Sequence, residues 1–142
     1  MNGPARNTAL AVLLAGMVLS ISGCNRLAAR DQLNKGVDAY KSARYEEAIG
    51  HFQKATQLDP SLPMAKSYLA TALAQNVVPG SDTPDNLKTA QQAIAIFQEV
   101  LDKDPNDVNS LKQIAGILYS VKKLDDARDW QKKVLKVDPK DP

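Results

Sequence analysis

Apolar positions recur three and four residues apart through most of this chain. Ile49, Phe52 and Ala55 make one such stripe, Leu111, Ile114, Ala115 and Leu118 a second, and Leu124, Ala127, Val134 and Val137 a third. That spacing is the period of an amphipathic helix with one face turned to a core. Ala, Leu, Lys and Gln dominate, a helix-forming blend, and β-branched runs are scarce. The pattern therefore predicts an all-α chain. Before residue 29 it changes: Ala9 to Leu19 is an almost uninterrupted apolar run with a single cation, Arg6, ahead of it.

The stripes belong to a repeat. Leu58-Asp59-Pro60, Lys103-Asp104-Pro105 and Val137-Asp138-Pro139 end three stretches alike, and Ala48, Ala93 and Ala127 each sit twelve residues before the closing proline. Pro105 and Pro139 are 34 residues apart, the period of a helix–turn–helix unit. In the first unit the pattern predicts helices over about 29–42 and 45–58, with Pro60 as the stop. Gly36 falls inside the first of these, where glycine costs about 1 kcal/mol against alanine, so it marks a place where another helix comes close. In the third unit Asn106 or Asp107 can cap the first helix. The middle unit carries 11 extra residues around positions 75–84. Pro79-Gly80 reads as a turn. Thr83, Pro84 and Asp85 read as N-cap, first helical residue and first-turn acid, so the following helix is expected from about Pro84 to Lys103. The insertion is expected to project between the two helices of one hairpin.

These residues resemble the tetratricopeptide repeat family. Gly36, Tyr40, Tyr45, Ala48, Phe52, Ala55 and Pro60 carry the resemblance in the first unit. Leu69, Ala70, Ala93, Phe97, Val100 and Pro105 carry it in the second, and Ile114, Ala115, Leu124, Ala127, Val134 and Pro139 in the third. Gln131 departs from the pattern where an aromatic belongs, with Trp130 one residue earlier; Trp130 is read as a packing residue. The resemblance implies an α-solenoid of three units, at about 29–62, 63–107 and 108–141, the second with its insertion. It also implies a binding role, with the first helix of each unit lining a concave face. The partner-binding candidates are Arg30, Leu33, Val37, Tyr40 and Lys41; Met64, Ser67, Thr71 and Gln75; and Asn109, Lys112, Gly116 and Tyr119. This mixed surface suits an extended peptide or a partner helix. Some members grip a C-terminal carboxylate with a Lys/Asn clamp; Leu33 and Val37 stand at clamp positions here, against that chaperone-binding role.

The run from Ala9 to Leu19 is too short to span a bilayer core, which needs about 20 residues, and matches the apolar region of a secretory signal. The Ile21-Ser22-Gly23-Cys24 segment that follows resembles the bacterial lipobox. The resemblance implies cleavage after residue 23 and lipid modification of Cys24, the sole cysteine. Residues 1–23 are then the signal, 24–28 a lipidated tether and 29–142 the repeat domain. An extended tether, at about 3.5 Å per residue, would hold the domain within about 10–15 Å of the bilayer. Asn25 is not the aspartate linked with inner-membrane retention, which tilts the expected location toward the outer membrane of the cell envelope.

The net charge of +2 is spread without a basic stripe, so no nucleic-acid partner is expected. His51 is the sole histidine, and with no second histidine or free thiol a zinc site or nucleophilic triad has nothing to build on. Glu46-Glu47 and Asp125-Asp126 fit helix starts rather than acid–base catalysis. Neither an enzyme nor a metal or other cofactor is expected. The residues point to a membrane-anchored scaffold or adaptor for a protein or peptide partner in the bacterial envelope. The alternatives are the N-terminal part of a longer repeat protein, and a ligand-capturing surface lipoprotein that uses the insertion as part of a pocket.

Overall fold

The computed structural model describes residues 5–140, and side chains within that range except those of residues 5–22 and Pro63. Six helices follow one another: α1 (Ala5–Lys41), α2 (Tyr45–Leu58), α3 (Pro63–Asn76), α4 (Pro84–Leu101), α5 (Val108–Ser120) and α6 (Leu124–Val137). No strand occurs among the described residues. Each helix packs on the next, and α1 also touches α3, the arrangement of an α-solenoid built from helical hairpins.

Most elements fall where the pattern places them. Helix α2 has its expected bounds, and α4 begins at Pro84 behind Thr83, whose hydroxyl accepts from the Asn86 N–H at 3.4 Å. Of the two cap candidates before α5, the structure uses Asp107, which accepts from the Ser110 N–H at 3.3 Å and its hydroxyl at 2.6 Å. The difference lies in α1, which continues without a break through residues 24–28 instead of forming an extended tether. Nothing in Asn25-Arg26-Leu27-Ala28 breaks a helix, and Arg26 ties the extension to the α2–α3 turn by an ion pair with Asp59 at 3.6 Å. The expected signal cleavage point lies within α1, and residues 1–4 lie outside the described residues.

The three Asp-Pro stops share more than a proline. Asp59, Asp104 and Asp138 each accept, through a carboxylate oxygen, the backbone N–H two residues on, at 3.0, 3.1 and 3.2 Å. This is the Asx turn that lets the chain reverse after a helix. The opposite turns, between α1 and α2 and between α5 and α6, also match. Ala43 and Lys122 adopt left-handed φ of 56° and 61°, and the N–H that follows each reaches back to Ala39 and Leu118 carbonyls, a Schellman-type helix end.

One core runs through all three units, from Ala39, Ala48 and Phe52 through Leu73, Ala93 and Phe97 to Ile114, Leu118 and Ala127. Gly36 is needed for α1 to meet α2: a Cβ there would lie 2.5 Å from the Phe52 ring. Phe52 in turn stacks on Tyr68 of α3 with centroids 5.5 Å apart, so one aromatic pair joins the first unit to the second. Trp130 packs partly against the core, with the Lys133 ammonium 3.5 Å above its ring.

Candidate functional site

Helices α1, α3 and α5 each bury one face and leave another open, and the predicted partner-binding residues divide between the two. Arg30 and Lys41 on α1 are exposed. Leu33, Val37 and Tyr40 are half-buried and pack against the core, so much of their surface is committed to the fold. Tyr40 lies edge-on to Tyr45 at 5.4 Å. Burial, and secondarily the neighbouring Tyr45, pushes the Tyr40 phenol above its ordinary range.

On α3, Met64, Ser67 and Gln75 are exposed, while the Thr71 hydroxyl donates to the Ser67 carbonyl at 2.9 Å. On α5, Asn109, Lys112, Gly116 and Tyr119 are exposed, Tyr119 by 70% and Met64 by 53%. The structure brings Gln75 and Gly116 together across a trough of about 350 Å³ between α3 and α5. Tyr119 lies on an adjoining depression with Pro79, Lys122 and Leu124. Ser67 opens instead on a cleft between α3 and α4, beside the Lys66–Glu99 ion pair at 2.7 Å.

The insertion does not stand free between α3 and α4. It leans on the third unit: the Gly80 N–H donates to the Ser120 carbonyl at 2.7 Å, with Gly80 at a left-handed φ of 79°. Asn86, buried in the first turn of α4, holds it there. Its amide donates to the Val78 and Ser81 carbonyls at 3.0 and 2.8 Å, and its carbonyl accepts from the Val78 N–H at 2.8 Å. Sequence reasoning missed Asn86. The available signal was an asparagine in the first turn after a Gly/Pro loop, where its side chain can bond back to loop backbone.

The remaining chemistry-bearing groups are structural or isolated. His51 spans α1 and α2 with Nδ1 at 2.8 Å from Gln32 Oε1, and its Nε2 lies 3.8 Å from Glu47. Cys24 is exposed on α1. Among the described residues no cluster of three or more His, Cys, Asp or Glu could hold a metal, and no helix is long and apolar enough to cross a membrane.

Comparison with known proteins agrees with this architecture. Models described as Tetratricopeptide repeat match residues 29–62 and 87–142, together more than half of the chain. Hsp70-Hsp90 organizing protein 2 of Arabidopsis thaliana is 25% identical over 109 residues, which cover 77% of this chain and 17% of that protein. The chain thus spans about one sixth of that curated relative's length. The first tetratricopeptide domain of Spaghetti (RPAP3), solved bound to the HSP90 peptide SRMEEVD, superposes with a TM-score of 0.57 at 20% identity, covering 82% of this chain and 83% of that one. The first such domain of human RPAP3, solved by NMR, gives 0.56 at 20% identity over 80% and 81%. At that identity the two structures speak to the fold, and the family models speak to the sequence. The chain belongs to the tetratricopeptide repeat family.

Proposed function

We propose that this protein is a lipid-anchored scaffold that binds an extended peptide segment of a partner protein at the surface of a bacterial envelope membrane. The observation that carries the binding role is the open face of α3 and α5. It keeps Met64 and Tyr119 largely in solvent while the opposite faces of the same helices share the core. Contiguous exposed apolar surface marks interaction sites, and Tyr119 adjoins the exposed Leu124 and Pro79 on one depression. Likeness to a domain solved with a bound peptide supports a peptide as the partner's form. A terminal-carboxylate clamp does not carry over, because Leu33 and Val37 present alkyl groups that pack on the core. The partner is therefore read along its length.

The anchor rests on the lipobox-like segment ending at Cys24. Once lipidated there, the protein is joined to the bilayer by residues 25–28, which are helical and rise only about 1.5 Å each. The ion pair between Arg26 and Asp59 limits how that short helix turns relative to the domain. The solenoid is then held against the membrane, which raises its effective concentration for envelope partners. In a cell with two membranes, Asn25 after the cysteine favours the outer membrane over the inner one. Crosslinking in the native cell, capture of the protein and mass spectrometry test the proposal. One dominant envelope partner is expected; capture of cytosolic proteins alone contradicts it.

A further inference from the structure

We infer that the open face of α6 pairs with the α6 of a second copy of this chain, the two helices running antiparallel about a two-fold axis level with Asp129 and Trp130. This surface is separate from the open face of α3 and α5, and the inference does not depend on the scaffold reading above.

Helix α6 packs chiefly on α5, whereas α2, α3, α4 and α5 each have a helix on either side. It also leaves the most apolar surface open. Leu124, Leu135 and Val137 are 53%, 42% and 37% exposed, and among the described residues no other helix exposes more than one large apolar side chain. Val137 lies apart, but Leu124 and Leu135 share a stripe. They stand at i and i+11, with Arg128 and Gln131 at i+4 and i+7 between them, the spacing of a seam between paired helices. Ala127 and Val134 turn the neighbouring face into the core, and Trp130 borders α4 across a cleft with Gln98 and Leu101. The seam therefore faces solvent on the side away from α4.

Charge selects the occupant. Asp125 and Asp129 flank the first half of the seam, Lys132 and Lys136 the second half, all on the same side and all exposed. Antiparallel pairing sets Leu124 against Leu135 of the second copy, and Arg128 against its Gln131. Asp125 then falls between the second copy's Lys132 and Lys136, and Asp129 beside its Lys132, and the symmetry of the pair makes each contact twice. Parallel pairing would set acid against acid and lysine against lysine. The bonds already present do not compete: Arg128–Asp125 at 3.3 Å and Lys132–Asp129 at 2.8 Å are exposed pairs within one helix, of a kind that contributes little. Residue 24 and the end of α6 lie at the same edge of the solenoid, so the two-fold axis sends the two Cys24 residues to opposite edges of the pair. On the proposed anchoring, both reach one bilayer when the helices lie along its surface.

The test uses the full chain carrying Cys24→Ser, so that the result does not depend on lipidation, with sedimentation equilibrium in density-matched detergent. A dimer is expected at about 100 μM, where a Kd of about 1 μM leaves little monomer. Lys132→Glu with Lys136→Glu, and separately Asp125→Lys with Asp129→Lys, are each expected to weaken association at least tenfold with the melting temperature retained. An equimolar mixture of the two variants is expected to restore it. That rescue separates pairing through α6 from misfolding and from association through the apolar run at 9–19. Register is read with a short bis-maleimide: a Leu124→Cys chain mixed with a Leu135→Cys chain is expected to crosslink, and neither alone, because in this pairing like positions stand about 16 Å apart along the helices. A monomeric parent chain, a charge variant that associates as the parent does, a mixture that stays monomeric, or crosslinking of either cysteine chain with itself overturns the pairing. So does capture of a different protein in place of a second copy by a photo-crosslinking residue at Leu135 in the native cell. Any of these leaves the scaffold reading intact, since that reading is tested from Met64 and Tyr119.

Discussion

A methyl group at position 36 would fall 2.5 Å from the ring of Phe52, a fully buried side chain. Overpacking of this kind costs about 1–3 kcal/mol, against about 1 kcal/mol gained by replacing a helical glycine. Gly36→Ala should therefore lose about 1 kcal/mol net in chemical denaturation. Ala48, fully buried, faces the same limit, and Ala48→Leu should cost about 1–3 kcal/mol. The turn residues predict the opposite sign. Ala43 and Lys122 hold left-handed φ without being glycine, so Ala43→Gly should stabilise the fold, by about 0.5 kcal/mol after the extra unfolded-state freedom of glycine is set against it, and so raise the melting temperature. Tyr40 adds a pH dependence. Its phenol is raised above 10.0 in the folded state, so the neutral form is favoured by folding. That contribution is complete below pH 10 and is lost as pH climbs through the raised folded value. The decline in denaturation midpoint over that alkaline range should shrink in Tyr40→Phe.

At the scale of elements, the insertion depends on one side chain. Asn86→Ala removes three hydrogen bonds that hold the loop to α4, each worth about 0.5–1.5 kcal/mol net. The expected result is faster hydrogen exchange at Gly80 with a smaller change in the cores of α1 and α2. None of this was legible in the sequence, because the bonds run from a helix back to a loop and leave no periodic trace. The helices were legible where local signals agreed. Tyr45 to Leu58 carries an apolar stripe, first-turn acids and a proline stop, and its bounds are as expected. In sequence the Asp-Pro repeat signals only a stop, whereas in the folded chain the aspartate makes the turn. The continuation of α1 through residues 24–28 is not legible from a cleavage signal, which marks a processing point and not a structural boundary. Asp59 binds the turn and the extension together. Its carboxyl is held below its ordinary 3.8 chiefly by the Ser61 hydroxyl, with help from the Ser61 N–H and Arg26. The stability it contributes is present above that pH and lost as pH falls through the lower folded value.

For the whole molecule, six helices share one core, and the faces left open on α3 and α5 carry the proposed function. The candidate site was partly legible. Gln75 and Gly116 do meet, but Leu33, Val37 and Tyr40 serve packing as well, because a helix face read from a family pattern does not reveal how deep its neighbour sits. On the proposed anchoring, Cys24→Ser is expected to release the protein from the membrane fraction, and to leave its melting profile intact because the Cys24 side chain is exposed. The most direct test places a photo-crosslinking residue at Met64 or Tyr119 on the open face and, as a control, at Gln53 on the exposed side of α2. One dominant envelope partner is expected from Met64 and Tyr119, and none from Gln53. Capture from Gln53 alone, or equal capture from all three, would contradict it.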